Sequence, residues 1–227
     1  MVSKKTIINC RGTFIKQVVT RLNARSYLEI GLSENPRAPY RLIDLEDKTA
    51  IDMREVTNPD FCMSSDDFFK NLNDGATKFD KNKKWDVIFI DGDHFAEQVY
   101  KDLCNSYEHL SDDGVIFLHD SLPWRYDMTI EWHVGTKEAT CQDAWKVIEY
   151  CLKEREDMHV CTIEESGGGI GVITKSKVPR REMLDKSYNR FYQYGVYDRD
   201  KFNMMNCIQP AQILEWVSNP SYSFFKD

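Results

Sequence analysis

Residues 85–94 read Trp-Asp-Val-Ile-Phe-Ile-Asp-Gly-Asp-His, WDVIFIDGDH. The first six are β-branched or aromatic at every position but one, a run of strand length and nearly continuous apolarity. Such a run suits a strand buried on both faces of a parallel sheet. The apolarity stops at once in Asp91, Asp93 and His94. Ionisable groups set directly after a buried strand are costly unless paired or bound to metal. A second run of the same kind, Val115–Leu118 (VIFL), ends in His119-Asp120. Two such strands lying side by side and parallel would bring that pair next to Asp91.

Working outward, Ser26–Ile30 (SYLEI) reads as a short buried strand ending at Gly31, and Lys48–Asp52 (KTAID) as a second. Phe61–Ser64 is a weaker third. Apolar residues at helical spacing predict helices over 12–23, 66–72, 94–110 and 142–153. Residues 35–45, with Pro36 and Pro39, permit at most a short helix. Residues 73–84 are a polar loop, Asp113-Gly114 a turn, and 120–139 a long loop carrying Trp124, Tyr126, Trp132 and His133. Met158–Ile163 and Gly169–Thr174 pair as an antiparallel hairpin around Gly167-Gly168. Beyond Pro179, residues 183–193 and 210–218 are helical candidates. Strands alternating with helices imply a Rossmann-like, doubly wound α/β fold. Its sheet would have seven mostly parallel strands, closed by the hairpin and followed by a helical extension. The division expected is a domain over 1–176 and an extension over 177–227 packed on it.

The chain has 227 residues, 41% hydrophobic and 30% charged, an ordinary globular balance. Its net charge of −7 argues against a nucleic-acid partner, since such partners are gripped by neutralising phosphates. The seven cysteines are odd in number and form no CxxC pair, so they read as small core residues of a reducing compartment. No signal-like or membrane-spanning run is present in the sequence. The expectation is a cytoplasmic protein without a membrane partner.

In a doubly wound sheet, ligands bind beyond the carboxyl ends of the strands. Glu29 and Gly31 end the first strand, where an acid can hold an ammonium group and glycine lets a ligand approach the backbone. Asp52 ends the second and can accept two hydrogen bonds from a ribose diol. Ser64-Ser65-Asp66 can cap the next helix, and Ser65 and Asp66 can also face an adenine ring. Asp91 and Asp120 suit a hard divalent cation such as Mg²⁺, with His119 a softer third ligand. His94 is the candidate general base, assisted by Asp91. Trp145 belongs either to the site margin or to the core, and the loop aromatics either stack on a ligand or pack the loop down.

With these residues in hand, the chain resembles the class I S-adenosylmethionine-dependent methyltransferases over roughly residues 12–176. The phrases carrying the likeness are YLEIG (27–31), AID (50–52), MSSDDFF (63–69), FDKNKKWDVIFIDGDH (79–94), DDGVIFLHD (112–120) and QDAWKVI (142–148), with ILEWV (213–217) in the tail. More narrowly it is similar to a branch of small-molecule and sugar O-methyltransferases. The resemblance implies that Glu29 and Gly31 line the methionine end of the cofactor, that Asp52 holds the ribose, and that Ser65 and Asp66 lie near adenine. It implies that Asp91 serves as metal ligand and His94 as base, with His119-Asp120 completing the metal set. The acceptor it implies is a sugar hydroxyl, such as a deoxyhexose of a glycan or glycoside. Two departures stand out: residues 31–40 (GLSENPRAPY) lack the family's second glycine, and the second acidic pair has become His-Asp. The rival readings are a non-catalytic, cofactor-binding partner subunit and an N- or nucleic-acid methyltransferase. The oligomeric state, including a homo-oligomer, is left open by the sequence.

Overall fold

The computed structural model describes residues 8, 10–129, 141–176 and 205–218. Eight strands form one sheet: β1 (Ser26–Ile30), β2 (Asp47–Asp52), β3 (Phe61–Cys62), β4 (Trp85–Ile90), β5 (Leu110–His119), β6 (Met158–Ile163), β7 (Ile170–Lys175) and β8 (Cys207–Ile208). Their spatial order is β3-β2-β1-β4-β5-β7-β6-β8. Strands β1 to β5 run parallel, β7 is antiparallel to both β5 and β6, and β8 is parallel to β6. The mostly parallel, doubly wound sheet with its hairpin is therefore present, and β8 adds an eighth strand at its edge.

The helices are α1 (Arg11–Arg21), α2 (Pro39–Leu42), α3 (Ser65–Asn73), α4 (Ala96–Glu108), α5 (Trp145–Glu154) and α6 (Pro210–Ser218). Period-two alternation sorts the strand side chains into two cores. Leu28, Ile30, Ile88, Ile90, Ile116 and Leu118 face α3, α4 and α5. Tyr27, Val87, Phe89, Val115 and Phe117 face α1 and α6, whose Phe14, Ile15, Val18, Ile213 and Val217 complete that layer. The helix over 210–218 is thus present and packs on the sheet domain. The expected helix over 183–193, and Trp132 and His133, lie outside the described residues.

Several boundaries differ from the sequence expectation. Asp113-Gly114 is not a turn: β5 runs through it from Leu110. A Cβ at Gly114 would lie 2.9 Å from the Asp86 carbonyl oxygen, so glycine lets β5 pass close to β4 where their register shifts between Trp85 and Val87. Strand β3 stops at Cys62, because Ser64 leaves it to cap α3, accepting the Asp67 N–H at 3.1 Å. Helix α4 begins at Ala96 rather than His94; its first N–H is satisfied by Asp143 Oδ1 at 2.7 Å, next to α5. That leaves Asp91–Phe95 as a loop lying over the sheet edge.

Candidate active site

Register builds the site. Ile90 of β4 lies opposite Leu118 of β5, so Asp91, just past β4, and His119, the last residue of β5, stand side by side. His119 pairs in turn with Ile170 of β7, and the hairpin turn before β7 returns Glu165 to the same edge. His119 Nδ1 lies 3.1 Å from Asp91 Oδ1 and 3.1 Å from Asp120 Oδ2, while its Nε2 lies 3.4 Å from Glu165 Oε2. Burial disfavours the charged imidazole, but Asp91 and Asp120 outweigh that and hold the His119 pKa well above the ordinary histidine value. The same contacts act on Asp91: burial alone would raise it, but His119 and Arg11 keep it below the usual carboxylate range.

His94 reaches the cluster from the loop before α4, with Nε2 3.1 Å from Asp120 Oδ2 and 4.0 Å from Asp91 Oδ1. Ligand atoms of Asp91, His94 and Asp120 all lie within 4.8 Å of one another. The structure thus brings together all four expected residues of the β4 and β5 ends. Asp120 adopts φ +57°, a left-handed conformation that aspartate tolerates better than most residues. Its Oδ1 accepts the buried Cys141 thiol at 3.1 Å.

Glu29 is buried beside this cluster, on the α1 face. Burial pushes its carboxyl up to about 8, against the opposing 2.5 Å hydrogen bond donated by the Tyr27 hydroxyl two residues away. Gly31 has φ +83°, and a Cβ there would stand 2.2 Å from the Asp91 carbonyl oxygen. Only glycine lets β1 end against β4 in this way. Asp52 is nearly buried at the end of β2 and already engaged, accepting the Leu32 N–H and the Arg54 side chain. Ser65 and Asp66 join a different network, with α4. Ser65 Oγ donates to Asp102 Oδ1 at 2.6 Å, and Gln98 Nε2 bridges Asp66 and Asp102 at 3.1 Å each. Burial raises the Asp102 carboxyl to about 7. Trp124 is 41% exposed, whereas Trp145 is core.

Four partners escaped the sequence reading: Arg11, Cys141, Glu165 and Arg54. Arg11, at the start of α1, places Nη2 3.1 Å from Asp91 Oδ2. It precedes the first strand by fifteen residues, and no local pattern ties it to the site. Glu165 carried a weak signal, an acid beside the Gly167–Gly169 run at the tip of a hairpin that returns to this edge. Its Oε2 accepts the Gly167 N–H at 2.5 Å.

Residues 23–121 match a family model described as a methyltransferase domain. Among solved structures, an O-methyltransferase from Bacillus cereus in complex with SAH is 16% identical, with a TM-score of 0.50 over 73% of this chain and 80% of that one. A candidate caffeoyl-CoA O-methyltransferase from Staphylococcus aureus is 18% identical, with a TM-score of 0.52 over 77% of this chain and 88% of that one. No curated protein matches the chain in sequence.

Proposed function

We propose that this chain, which has the class I methyltransferase fold and matches a methyltransferase-domain family model over residues 23–121, moves a methyl group from S-adenosylmethionine to a hydroxyl oxygen of a small molecule. The observation that carries the reading is the meeting of His94, Asp91 and Asp120 at the carboxyl ends of β4 and β5, with His94 Nε2 3.1 Å from Asp120 Oδ2. These are the strand ends where an open α/β sheet places its ligand.

In the reaction the acceptor oxygen attacks the methyl carbon, the carbon–sulfur bond breaks, and its electron pair neutralises the sulfonium. The protein has two tasks. It must align the hydroxyl with the methyl–sulfur bond, and it must remove the hydroxyl proton. His94 takes that proton, and the carboxylates of Asp120 and Asp91 stabilise the resulting imidazolium. Glu29 and Gly31 hold the methionine end of the cofactor, Asp52 the ribose, and Ser65 with Asp66 the adenine side.

The carboxylates of Asp91 and Asp120, which lie with His94 in a cluster whose ligand atoms are within 4.8 Å of one another, are hard oxygen donors that fit a divalent cation such as Mg²⁺. Asp91 and Asp120 would hold it, with His119 beside both carboxylates. When bound, such a cation lowers the pKa of the acceptor hydroxyl. We read the acceptor as a sugar: Trp124, just beyond Asp120 and 41% exposed, offers an aromatic face to a sugar ring. A net charge of −7 favours a small acceptor over nucleic acid. We place the protein in the cytoplasm; its seven cysteines are free thiols, and no helix among the described residues is long and apolar enough to cross a membrane. We read residues 1–176 as the catalytic domain and 177–227 as an extension packed on it, of which the described part, 205–218, supplies β8 and α6.

The test is calorimetric binding of S-adenosylmethionine with and without Mg²⁺, followed by turnover of His94→Ala on a panel of glycosides. Cofactor binding is expected to survive the substitution, while kcat falls by about 10²- to 10⁴-fold. Equal loss of binding and turnover would remove His94 from the base role. A magnesium requirement confined to turnover would support the Asp91/Asp120 cation site. No binding under either condition would remove the cofactor assignment itself.

A further inference from the structure

The Asp52 carboxylate is fully engaged. Oδ1 accepts the Arg54 backbone N–H at 2.7 Å and Arg54 Nε at 3.1 Å. Oδ2 accepts the Leu32 N–H at 2.7 Å and Arg54 Nη2 at 2.9 Å. A carboxylate offers about four lone-pair sites, and all are taken. Two donors are backbone groups fixed by the chain. The other two belong to one guanidinium, which places one donor on each oxygen in a bidentate fork.

A vicinal diol that binds a carboxylate also places one donor on each oxygen. We propose that Arg54 is an internal occupant of the diol subsite: its guanidinium holds the places of the two ribose hydroxyls and must leave before the cofactor binds. Arg54 thereby sets cofactor affinity. This rests on the reading of Asp52 as the ribose acceptor.

Displacement follows from the lone-pair count, since guanidinium and diol cannot both donate to the same two positions. Arg54 is the partner that moves, because its side chain is 58% exposed and that of Asp52 only 5%. Its release returns the guanidinium to water, while the buried carboxylate of Asp52 keeps its two backbone donors and takes the diol hydroxyls in place of the two it loses. Asp52 stays aimed by the two backbone N–H groups. Arg54 Nη2 also donates to the Leu32 carbonyl. Its departure therefore frees the Leu32 carbonyl, in the 31–40 segment that lacks a second glycine, as the ligand arrives. Burial alone would raise the Asp52 carboxyl, but Arg54 and the two backbone donors hold it below the ordinary aspartate value, so it stays charged through the neutral range.

Calorimetry on the intact chain tests this with S-adenosylhomocysteine, adenosine and 2′,3′-dideoxyadenosine as probes. Arg54→Met should tighten binding of the two diol ligands on the order of three- to tenfold and leave the dideoxy compound unchanged. Arg54→Lys, which keeps the charge without the fork, should give a smaller gain. Weaker or unchanged binding of S-adenosylhomocysteine by Arg54→Met overturns the proposal, as does an equal gain for the dideoxy ligand. Asp52→Asn separates the two layers. If it weakens diol ligands while Arg54→Met gains nothing, the internal occupant falls and the ribose reading stands. If it binds all three as the parent does, the ribose reading falls and takes the occupant with it.

Discussion

Glu29 shows how far one side chain can be driven by its surroundings. Burial places its pKa at about 8 in the folded chain, against an ordinary glutamate value of 4.5. Between those values the unfolded chain carries the ionised form while the folded one retains its proton. The folded state therefore binds more protons, and stability falls as pH rises through this window. The contribution is whole below about pH 4.5 and is lost by about pH 8, an effect on the order of a few kcal/mol. Glu29→Gln should flatten this part of the stability curve of the cofactor-free protein, read as melting temperature at steps from pH 5 to 8. Parallel curves for parent and variant would show that Glu29 is not the proton carrier. A neighbouring position tests geometry instead of charge. Gly31→Ala forces a Cβ to within 2.2 Å of the Asp91 carbonyl oxygen at a φ of +83°. A loss on the order of 2 kcal/mol or more is expected by urea denaturation, with cofactor affinity falling too because Asp91 must shift.

At the scale of elements, α3 combines two roles that its opening sequence suggested together. Ser64 caps it and Ser65 joins the network with Asp102 and Gln98. The roles separate by mutation. Ser64→Ala should cost about 1 kcal/mol of stability and leave adenosine binding intact. Ser65→Ala should weaken adenosine binding with the smaller effect on melting; the reverse pattern would exchange the assignments. The elements themselves were legible where the apolar signal was strong, as a continuous run in Trp85–Ile90 and Val115–Leu118 and as helical spacing in 210–218. Legibility failed where a tertiary contact decided the outcome. Gly114 read as a turn because its close passage by Asp86 cannot be seen in one segment, and β8 is too short to carry a pattern. In the site, Asp91, His94, His119 and Asp120 were legible because parallel strands juxtapose their carboxyl ends. Arg11, Cys141 and Arg54 were not, since each reaches its partner through side-chain geometry. Arg54 also changes what Asp52 can do: the acid stands where expected, with its lone pairs already taken.

Across the whole molecule, the sheet is covered by α3, α4 and α5 on one face and by α1 and α6 on the other. Helix α6 comes from residues 210–218, far along the chain from α1, yet Ile213 is fully buried in the same apolar layer as Phe14 and Val18. Arg21 of α1 also donates to the Leu214 carbonyl at 3.2 Å. The tail helix is thus part of the fold's core. Ile213→Ala should cost about 2–5 kcal/mol, the usual range for emptying a buried isoleucine site, and chemical denaturation should show it in a single transition. A separate early transition would mean that α6 unfolds independently of the sheet.

Just before α6, Cys207 and Ile208 add two residues to the open side of β6, and Asn206 Nδ2 donates to the Val160 carbonyl at 2.8 Å. Unpaired strand edges invite pairing with other chains, and short covering strands are one way proteins blunt them. Among the described residues, the 205–208 segment covers this edge at Thr162 and Ile163 and caps the Val160 carbonyl. Dislodging it by a nick would expose the outer backbone groups of Thr162 and Ile163, and self-association seen by light scattering is the expected outcome.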